Sequence, residues 1–96
     1  MFIKLLKIDK RWASQDYYLS EVLINTSQII YMSENEELGK LLREGKVNLG
    51  LNHAAVFTNL KLNMQNEGLG QITVVGDPLT IEAKMNKKAT KILLRD

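Results

Sequence analysis

The clearest hydrophobic pattern lies near the C-terminal end of the chain, where a strand-like run changes into a helix-like one. Residues 72–75 favour a β-strand, and Gly76 ends that strand. Asp77 predicts a helix N-cap, and Pro78 suits the first helical position because no backbone N–H is needed there. This segment therefore predicts a C-terminal helix that packs on a sheet through one face. Its apolar stripe consists of Ile81, Met85, Ala89 and Ile92, with Leu93 beside them.

Three shorter apolar runs in the first third of the chain predict further strands. They cover residues 2–8, 17–24 and 29–32, and the polar segment 25–28 between the last two predicts a turn. Short connections between successive strands are typical of an antiparallel meander. We therefore expect these three strands to be neighbours in one sheet.

The next segment predicts a short helical insertion near residues 34–44. Ser33 and Glu36 have the spacing of a capping box, and Gly45 is a suitable residue to end the helix. Gly39 lowers the helix preference of the segment, so the helix is expected to be short. Its small apolar face consists of Leu38, Leu41 and Leu42.

Two segments in the middle of the chain alternate between apolar and polar residues. Residues 46–51 predict a half-buried strand, residues 52–54 a turn and residues 56–64 another strand. Their outward positions hold asparagine, glycine, threonine and lysine. This side of the sheet is therefore expected to be wet or to lie against a polar partner.

Together these elements predict an α+β fold in a single domain of residues 1–96. We expect a mostly antiparallel, twisted sheet of about six strands that curls towards a barrel, with the C-terminal helix packed on one face. Nothing in the sequence protects the edges of that sheet. Edge-to-edge association into a homo-oligomer is therefore expected.

Composition narrows the class of protein. The chain has 96 residues, of which 45% are hydrophobic and 25% charged, and its net charge of +2 is too small to indicate a nucleic-acid partner. The absence of cysteine excludes disulfides and thiolate metal sites, and it fits a cytoplasmic location. The first apolar run is short and broken by lysine, so it predicts neither a signal peptide nor a membrane span.

Positive charge is concentrated in the predicted C-terminal helix. One interpretation is a solvated helix face whose cations lie near the negative end of the helix dipole. The other is a face that binds nucleic acid or another anion through its phosphates, with an affinity that falls as salt rises. The basic residues are Lys84, Lys87, Lys88, Lys91 and Arg95.

Residues capable of catalysis are few and scattered. His53 is the only histidine, and its neighbours in the predicted turn supply neither a nucleophile nor a carboxylate. No two carboxylates have the spacing that acid–base chemistry or a metal ion needs, and capping accounts for Asp77. The sequence therefore predicts no enzymatic activity, no metal site and no cofactor.

An early loop and the strand after it carry the strongest candidates for a binding surface. Arg11, Trp12, Tyr17 and Tyr18 belong to the residue types that dominate protein interfaces. Aromatic residues of this kind also stack on nucleic-acid bases. In the structural alternative, Trp12 covers the rim of the sheet and the two tyrosines pack across strands.

The first third of the chain resembles the short flagellar-operon (swarming-motility) proteins and similar small proteins of phages. In those proteins a lysine-broken strand leads to a second strand, an asparagine turn and an isoleucine that begins the next strand, as residues 2–8, Asn25 and Ile29 do here. The ending at residues 72–76 is similar to that of the phage-type members. The resemblance implies a small intracellular bacterial or phage accessory protein that works by binding, and it supplies no catalytic residues.

The function predicted from the sequence is that of a non-enzymatic accessory protein that binds or inhibits a larger host protein. The first alternative is nucleic-acid binding through the basic C-terminal helix. The second is binding of a small ligand, such as a nucleotide, at an interface between subunits.

Overall fold

The computed structural model describes residues 1–11, 13, 16–64 and 69–93, with side chains for all of these except residues 69 and 87–93. This part of the chain has the predicted α+β architecture. Neither of its α-helices, as far as it is described, is long and apolar enough to cross a membrane. The elements are β1 (Phe2–Lys10), β2 (Tyr17–Asn25), β3 (Ile29–Glu34), α1 (Glu36–Arg43), β4 (Phe57–Asn63), β5 (Leu69–Val75) and α2 (Pro78–Leu93).

The strands form one five-stranded antiparallel sheet in the order β2-β1-β5-β4-β3. Within the described ranges β2 and β3 are its edges and do not pair with each other, so the sheet is open. The sheet curls, but it does not close into the expected barrel-like form. The expected meander is also wrong, because β3 pairs with β4 and not with β2.

The short connection from β2 to β3 requires the open sheet to be strongly coiled. Asn25 lies opposite Phe2, at one end of β1. Ile29 pairs with Leu62 of β4, and Leu62 pairs in turn with Gly70 of β5. The register between β1 and β5 places Gly70 beyond the other end of β1. In a flat sheet Asn25 and Ile29 would be more than about 30 Å apart. Four residues of chain span at most about 14 Å. The two edges must therefore approach at this corner, where a 3-10 turn at Thr26–Gln28 joins them without hairpin pairing.

The concave side of the coiled sheet holds the larger core cluster, which we call the concave core. α2 lies across this side and inserts Ile81, with Met85 partly buried beside it. This confirms the expected helix packed on one face of the sheet. The strands contribute the buried Ile3, Leu5, Ile24, Leu60, Leu62 and Val74 and the partly buried Ile29 and Met32.

The opposite, outer side of the sheet carries a second cluster, which we call the outer core. There α1 packs Leu38 and Leu42 against Phe57 and Ile8. Successive side chains of a strand point to opposite sides, so Ile8 faces outward whereas the concave core receives Leu5. The strand β1 is therefore buried on different sides at its two ends.

Residues 46–51 do not form the predicted strand, and within the described residues the sheet has five strands and not six. Val47 is buried in the outer core, and Leu49 and Leu51 are partly buried there, so the alternation correctly indicated which side chains face inward. The backbone is irregular because Gly45 and Gly50 take positive φ angles of 73° and 69°. Alternation reports burial, and here burial occurs without strand pairing.

The predicted helical insertion is present, but a different residue caps it. Asn35 accepts the backbone N–H of Leu38 through its Oδ1 at 3.0 Å. Ser33, the predicted cap, still lies in β3, where it is paired with Asn59. The helix ends as expected before Gly45, whose positive φ suits a helix C-terminus.

The junction between β5 and α2 matches the sequence prediction. The Oδ1 of Asp77 accepts the backbone N–H of Thr80 at 2.6 Å, and Pro78 is the first helical residue. Gly76 has a φ of 119°, which residues with a side chain rarely adopt. The side chains of Ala89, Ile92 and Leu93, predicted to continue the apolar stripe, lie outside the described residues.

Candidate protein-binding surface

The candidate surface lies on the hairpin formed by β1 and β2, which extends beyond the rest of the sheet. The two strands pair without interruption over nine residues each. By contrast, β5 pairs with β1 at Lys7 and Ile8, and it ends at Val75, level with Leu6. Among the residues described, no strand lies beside the first half of β1 on that side.

Three large apolar side chains are exposed on the outer side of this projecting half. Phe2 is 55% exposed, Leu6 38% and Leu23 65%. Across the hairpin, Lys4 lies opposite Leu23 and Glu21 lies opposite Leu6. The Lys4 Nζ is 3.9 Å from the Glu21 carboxylate, and both side chains are largely exposed, so this ion pair adds little stability. We call these five residues the outer patch.

The sequence identified the members of the outer patch only as strand residues. Phe2 and Leu6 alternate with Ile3 and Leu5, so this part of β1 is apolar on both sides. Apolar residues on both sides of a strand indicate a strand that is covered twice. In the structure α2 covers the concave side, and the outer side is left open.

On the same outer side of the sheet, the part formed by β4 and β5 is polar, as the sequence predicted. Asn35 Nδ2 and Thr73 Oγ1 both donate to Asn59 Oδ1, at 3.1 and 2.7 Å. Lys61 and Gln71 are paired on the same side. The apolar character of the outer patch is therefore a local feature of the hairpin.

The structure places the two tyrosines of the predicted interface on opposite sides of the hairpin. The guanidinium carbon of Arg11 lies 5.0 Å from the ring centre of Tyr18, which is exposed. Tyr17 faces the other side of the hairpin, with Lys10 Nζ 5.5 Å from its ring centre, and packs against the outer core. Trp12 lies outside the described residues. The structure therefore brings together Arg11 and Tyr18.

The predicted basic face of α2 is described only in part. Lys84 is exposed on the helix. Lys87, Lys88 and Lys91 belong to α2, but their side chains are outside the described set, as is the whole of Arg95. The nucleic-acid interpretation of this face stays a prediction.

The polar residues that could carry chemistry include an exposed turn histidine and a buried threonine with a structural hydrogen bond. His53 is exposed in the predicted turn, where Asn52 Oδ1 accepts the backbone N–H of Ala54 at 2.8 Å. Thr58 is buried and donates its hydroxyl to the carbonyl of Gly76 at 2.7 Å, which ties β4 to the start of α2. Over the residues that the structure describes, no three metal-ligating side chains are grouped.

Asp77 has a lowered pKa, and its role as a helix cap explains the shift. The backbone N–H and the hydroxyl of Thr80 stabilise the carboxylate and hold its pKa below the ordinary value of 3.8. The backbone N–H of Leu79 acts in the same direction. The charge of Asp77 therefore serves the N-terminus of α2.

A cleft of about 320 Å³ adjoins the outer patch where the hairpin meets the start of α2. Its floor is apolar, and two lysines and one glutamate stand at its rim. The cleft extends the exposed surface from the hairpin towards the helix. It is lined by Lys4, Leu5, Leu6, Glu21, Val75 and Lys84.

Comparison of this chain with protein-family models, curated proteins and solved structures finds no match. The resemblance to short flagellar-operon proteins, and the accessory role that it implies, therefore stays a prediction. The class that the structure itself defines is an α+β protein with an open antiparallel sheet. Its most distinctive surface is the exposed apolar patch on the first hairpin.

Proposed function

We propose that this chain is a non-enzymatic protein-binding module whose outer patch contacts the partner. The observation that carries the proposal is the exposure of Phe2, Leu6 and Leu23 on the same side of two paired strands. Removing apolar surface from water is favourable by about 25 cal/mol per Å², and this gain opposes the entropic cost of association. Contiguous exposed apolar patches mark interaction sites on folded proteins.

The charges within the outer patch favour a protein partner over other macromolecules. Lys4 and Glu21 stand among the three apolar side chains and carry opposite charges. A protein interface commonly combines an apolar centre with polar groups that set orientation. A nucleic-acid backbone would be repelled by Glu21, and an anionic membrane surface would favour cations alone.

The outer patch is held rigidly, which lowers the entropic cost of binding. Its residues lie on paired strands and not on a loop. From the concave side, Ile3 and Leu5 anchor β1, and Ile24 anchors β2. Because the surface is already ordered, little backbone freedom is lost when a partner binds.

In this proposal the chain is an accessory protein that occupies a surface of a larger partner and thereby inhibits it. The resemblance to small bacterial and phage accessory proteins supports this role. Blocking a surface depends on binding energy alone, so the role requires no catalytic groups.

A charge placed at the centre of the outer patch tests the proposal. In Leu6→Lys the new lysine stands opposite Glu21, so the hairpin should remain folded. Affinity capture from an extract of the source organism should recover a partner with the wild-type chain. Recovery with Leu6→Lys should fall at least about tenfold, which corresponds to 1.4 kcal/mol.

The matched control is Ile30→Lys, because Ile30 is 51% exposed on β3, away from the hairpin. This variant should recover the partner as well as the wild type does. Equal recovery by wild type and Leu6→Lys would contradict the proposed surface. Far-ultraviolet circular dichroism checks that both variants are folded.

A further inference from the structure

The outer edge of β2 presents backbone groups in a defined order. The N–H of Arg11 donates to the carbonyl of Asp16 at 2.6 Å, and the N–H of Thr26 donates to the carbonyl of Met1 at 2.9 Å. Both pairs lie in the same register as the pairs of the hairpin. Along an antiparallel pair of strands, residue pairs that share backbone hydrogen bonds alternate with pairs that do not. The even-numbered residues of β2 therefore bond to β1. The residues that direct their N–H and C=O away from the sheet are Tyr17, Leu19, Glu21 and Leu23, whereas Asn25 caps the 3-10 turn that follows.

The edge strand β2 has few of the features that usually protect a free edge, and Glu21 is its one charged residue. It is nine residues long, contains neither proline nor lysine, and pairs with β1 without a bulge. In the described parts of the chain no strand bonds to its outer side. The other edge, β3, has six residues and a bulge between Ile29 and Tyr31, and α2 lies against it. Of the two edges, β2 is therefore the open one.

We propose that β2 pairs antiparallel with β2 of a second copy of this chain, about a two-fold axis at Val22. An unpaired edge is a template for an added strand, and a second copy supplies a strand of the same length and twist. Two-fold pairing also satisfies the free edges of both copies at once. The inference deepens the proposed function, because it names a second copy as one protein that the hairpin binds.

Charge determines the register of this pairing. Centring the pair at Glu21 gives the longest overlap but places the two Glu21 side chains opposite each other, which is unfavourable. Centring it at Val22 places Glu21 opposite Leu23 of the second copy. Because Lys4 lies opposite Leu23 within each hairpin, Lys4 of the second copy is then level with Glu21. Opposite charges therefore flank each Leu23.

The pairing also enlarges the surface that we propose for other partners. The two-fold axis is perpendicular to the sheet, so the outer patches of both copies lie on the same side. Leu23, which is 65% exposed in the single chain, moves to the centre of the joined surface. Two outer patches then form one continuous apolar surface with two Lys4–Glu21 pairs.

The mass of the purified chain is the first test. Light scattering over a concentration series should show a mass that rises to that of two chains. Leu23→Glu places a glutamate directly opposite Glu21 of the second copy, and this repulsion should raise the dimer dissociation constant at least about tenfold. Within the hairpin the new glutamate lies opposite Lys4, so the single chain should remain folded. Ile30→Glu makes the same chemical change on β3 and should leave dissociation unchanged. A wild-type monomer at every concentration, or unchanged dissociation in Leu23→Glu, overturns the proposal.

Disulfide trapping tests the register. The natural chain has no cysteine, so a disulfide in a single-cysteine variant must join two chains. In Val22→Cys the two cysteines would be directly opposite, with Cα atoms about 4.5 Å apart, which a disulfide can span. Mild oxidation should convert most of this variant to a covalent dimer.

The matched control for trapping is Leu23→Cys. In the proposed register its two cysteines are diagonal neighbours about 7–8 Å apart, beyond the reach of an unstrained disulfide. This variant should remain largely monomeric on denaturing gels. Rapid trapping of Leu23→Cys with little trapping of Val22→Cys would overturn the register centred at Val22. Thermal melting before oxidation confirms that each variant is folded.

These experiments separate failure of the dimer from failure of the proposed function. Mass and trapping are measured on the purified chain without any other protein. A monomeric chain that still captures a partner, and loses it in Leu6→Lys, would overturn the dimer and support the proposed function. A trapped dimer that captures no other protein would support the dimer and contradict the proposed function.

Discussion

The two sides of the sheet are covered to very different extents, although β1 contributes apolar residues to both. On the concave side, α2 and the strands enclose Ile81 and Val74, which are 1% and 0% exposed. On the outer side, α1 covers the region around Phe57, whereas Leu23 remains largely exposed. Both sides of the sheet carry apolar surface that favours burial. The positions of the two helices decide which part of that surface is buried within the chain.

Helix length explains much of this difference. α2 has 16 residues and α1 has 8, so at 1.5 Å per residue their lengths are about 24 Å and 12 Å. A nine-residue strand such as β1 is about 30 Å long. The shorter helix therefore covers less than half of the outer side. The part that it leaves open contains the outer patch.

The largest expected effect comes from removing the helix side chain that anchors each core. Ile81 and Leu42 are 1% and 3% exposed, and replacing such residues by alanine costs about 2–5 kcal/mol. We expect Ile81→Ala near the upper end, because the strands surround it, and Leu42→Ala near the lower end, because the short α1 can shift to fill the space. Urea unfolding measures both free energies. Equal losses of free energy would contradict the conclusion that the concave core is enclosed more completely than the outer core.

A smaller loss is expected where the chain enters α2. Gly76 has a φ of 119°, and a Cβ there would meet only Ile81 Cγ1 at 3.8 Å and Cδ1 at 4.0 Å, which are ordinary contacts. The cost of Gly76→Ala is therefore backbone strain, of about 1–3 kcal/mol. Thermal and urea unfolding should both show it. An unchanged free energy of unfolding would mean that the backbone at Gly76 relaxes without moving α2, which covers the concave side.

A gain in stability is expected from strengthening α1. Gly39 is in the middle of this helix, and an added Cβ would lie 3.4 Å from Arg43 Nη1, the movable end of a long side chain. Gly39→Ala should therefore stabilise the helix by about 1 kcal/mol. Hydrogen exchange should slow in α1 and not in α2. A loss of stability would show that the outer core has no room for one methyl group.

Local chemistry explains which parts of the fold could be predicted from the sequence. The Asp77 cap, the Pro78 start and the end of α1 before Gly45 depend on neighbouring residues, and all three are present. The sequence predicts Ser33 as the cap of α1, but Asn35 caps it, because the end of β3 is set by its pairing with β4. That pairing is a long-range property.

The candidate site was harder to predict for the same reason. The segment from β2 to β3 resembles a hairpin, yet the 3-10 turn after Asn25 carries the chain to the opposite edge of the sheet. The exposure of Phe2 and Leu6 depends on where both helices lie, and the pattern of β1 is apolar on both sides. The prediction of an interface at Arg11, Trp12, Tyr17 and Tyr18 rests on residue type alone, whereas Tyr17 packs against the outer core.

The smallest expected effect distinguishes the two helices by pH. The pKa of Asp77 is below 3.8 in the folded chain, mainly because of hydrogen bonds from Thr80, so its carboxylate stabilises α2 above that pH and loses this effect as the pH falls through the lowered value. Asp77→Ala should therefore melt below the wild type at pH 7, and the gap should narrow in acid. Asn35→Ala removes the neutral cap of α1. Its difference in melting temperature from the wild type should therefore not change as the Asp77 carboxylate is protonated. A difference in melting temperature between wild type and Asp77→Ala that did not change in acid would show that the charge of Asp77 contributes nothing to stability. The two helices that cover the sheet would then be equally insensitive to pH.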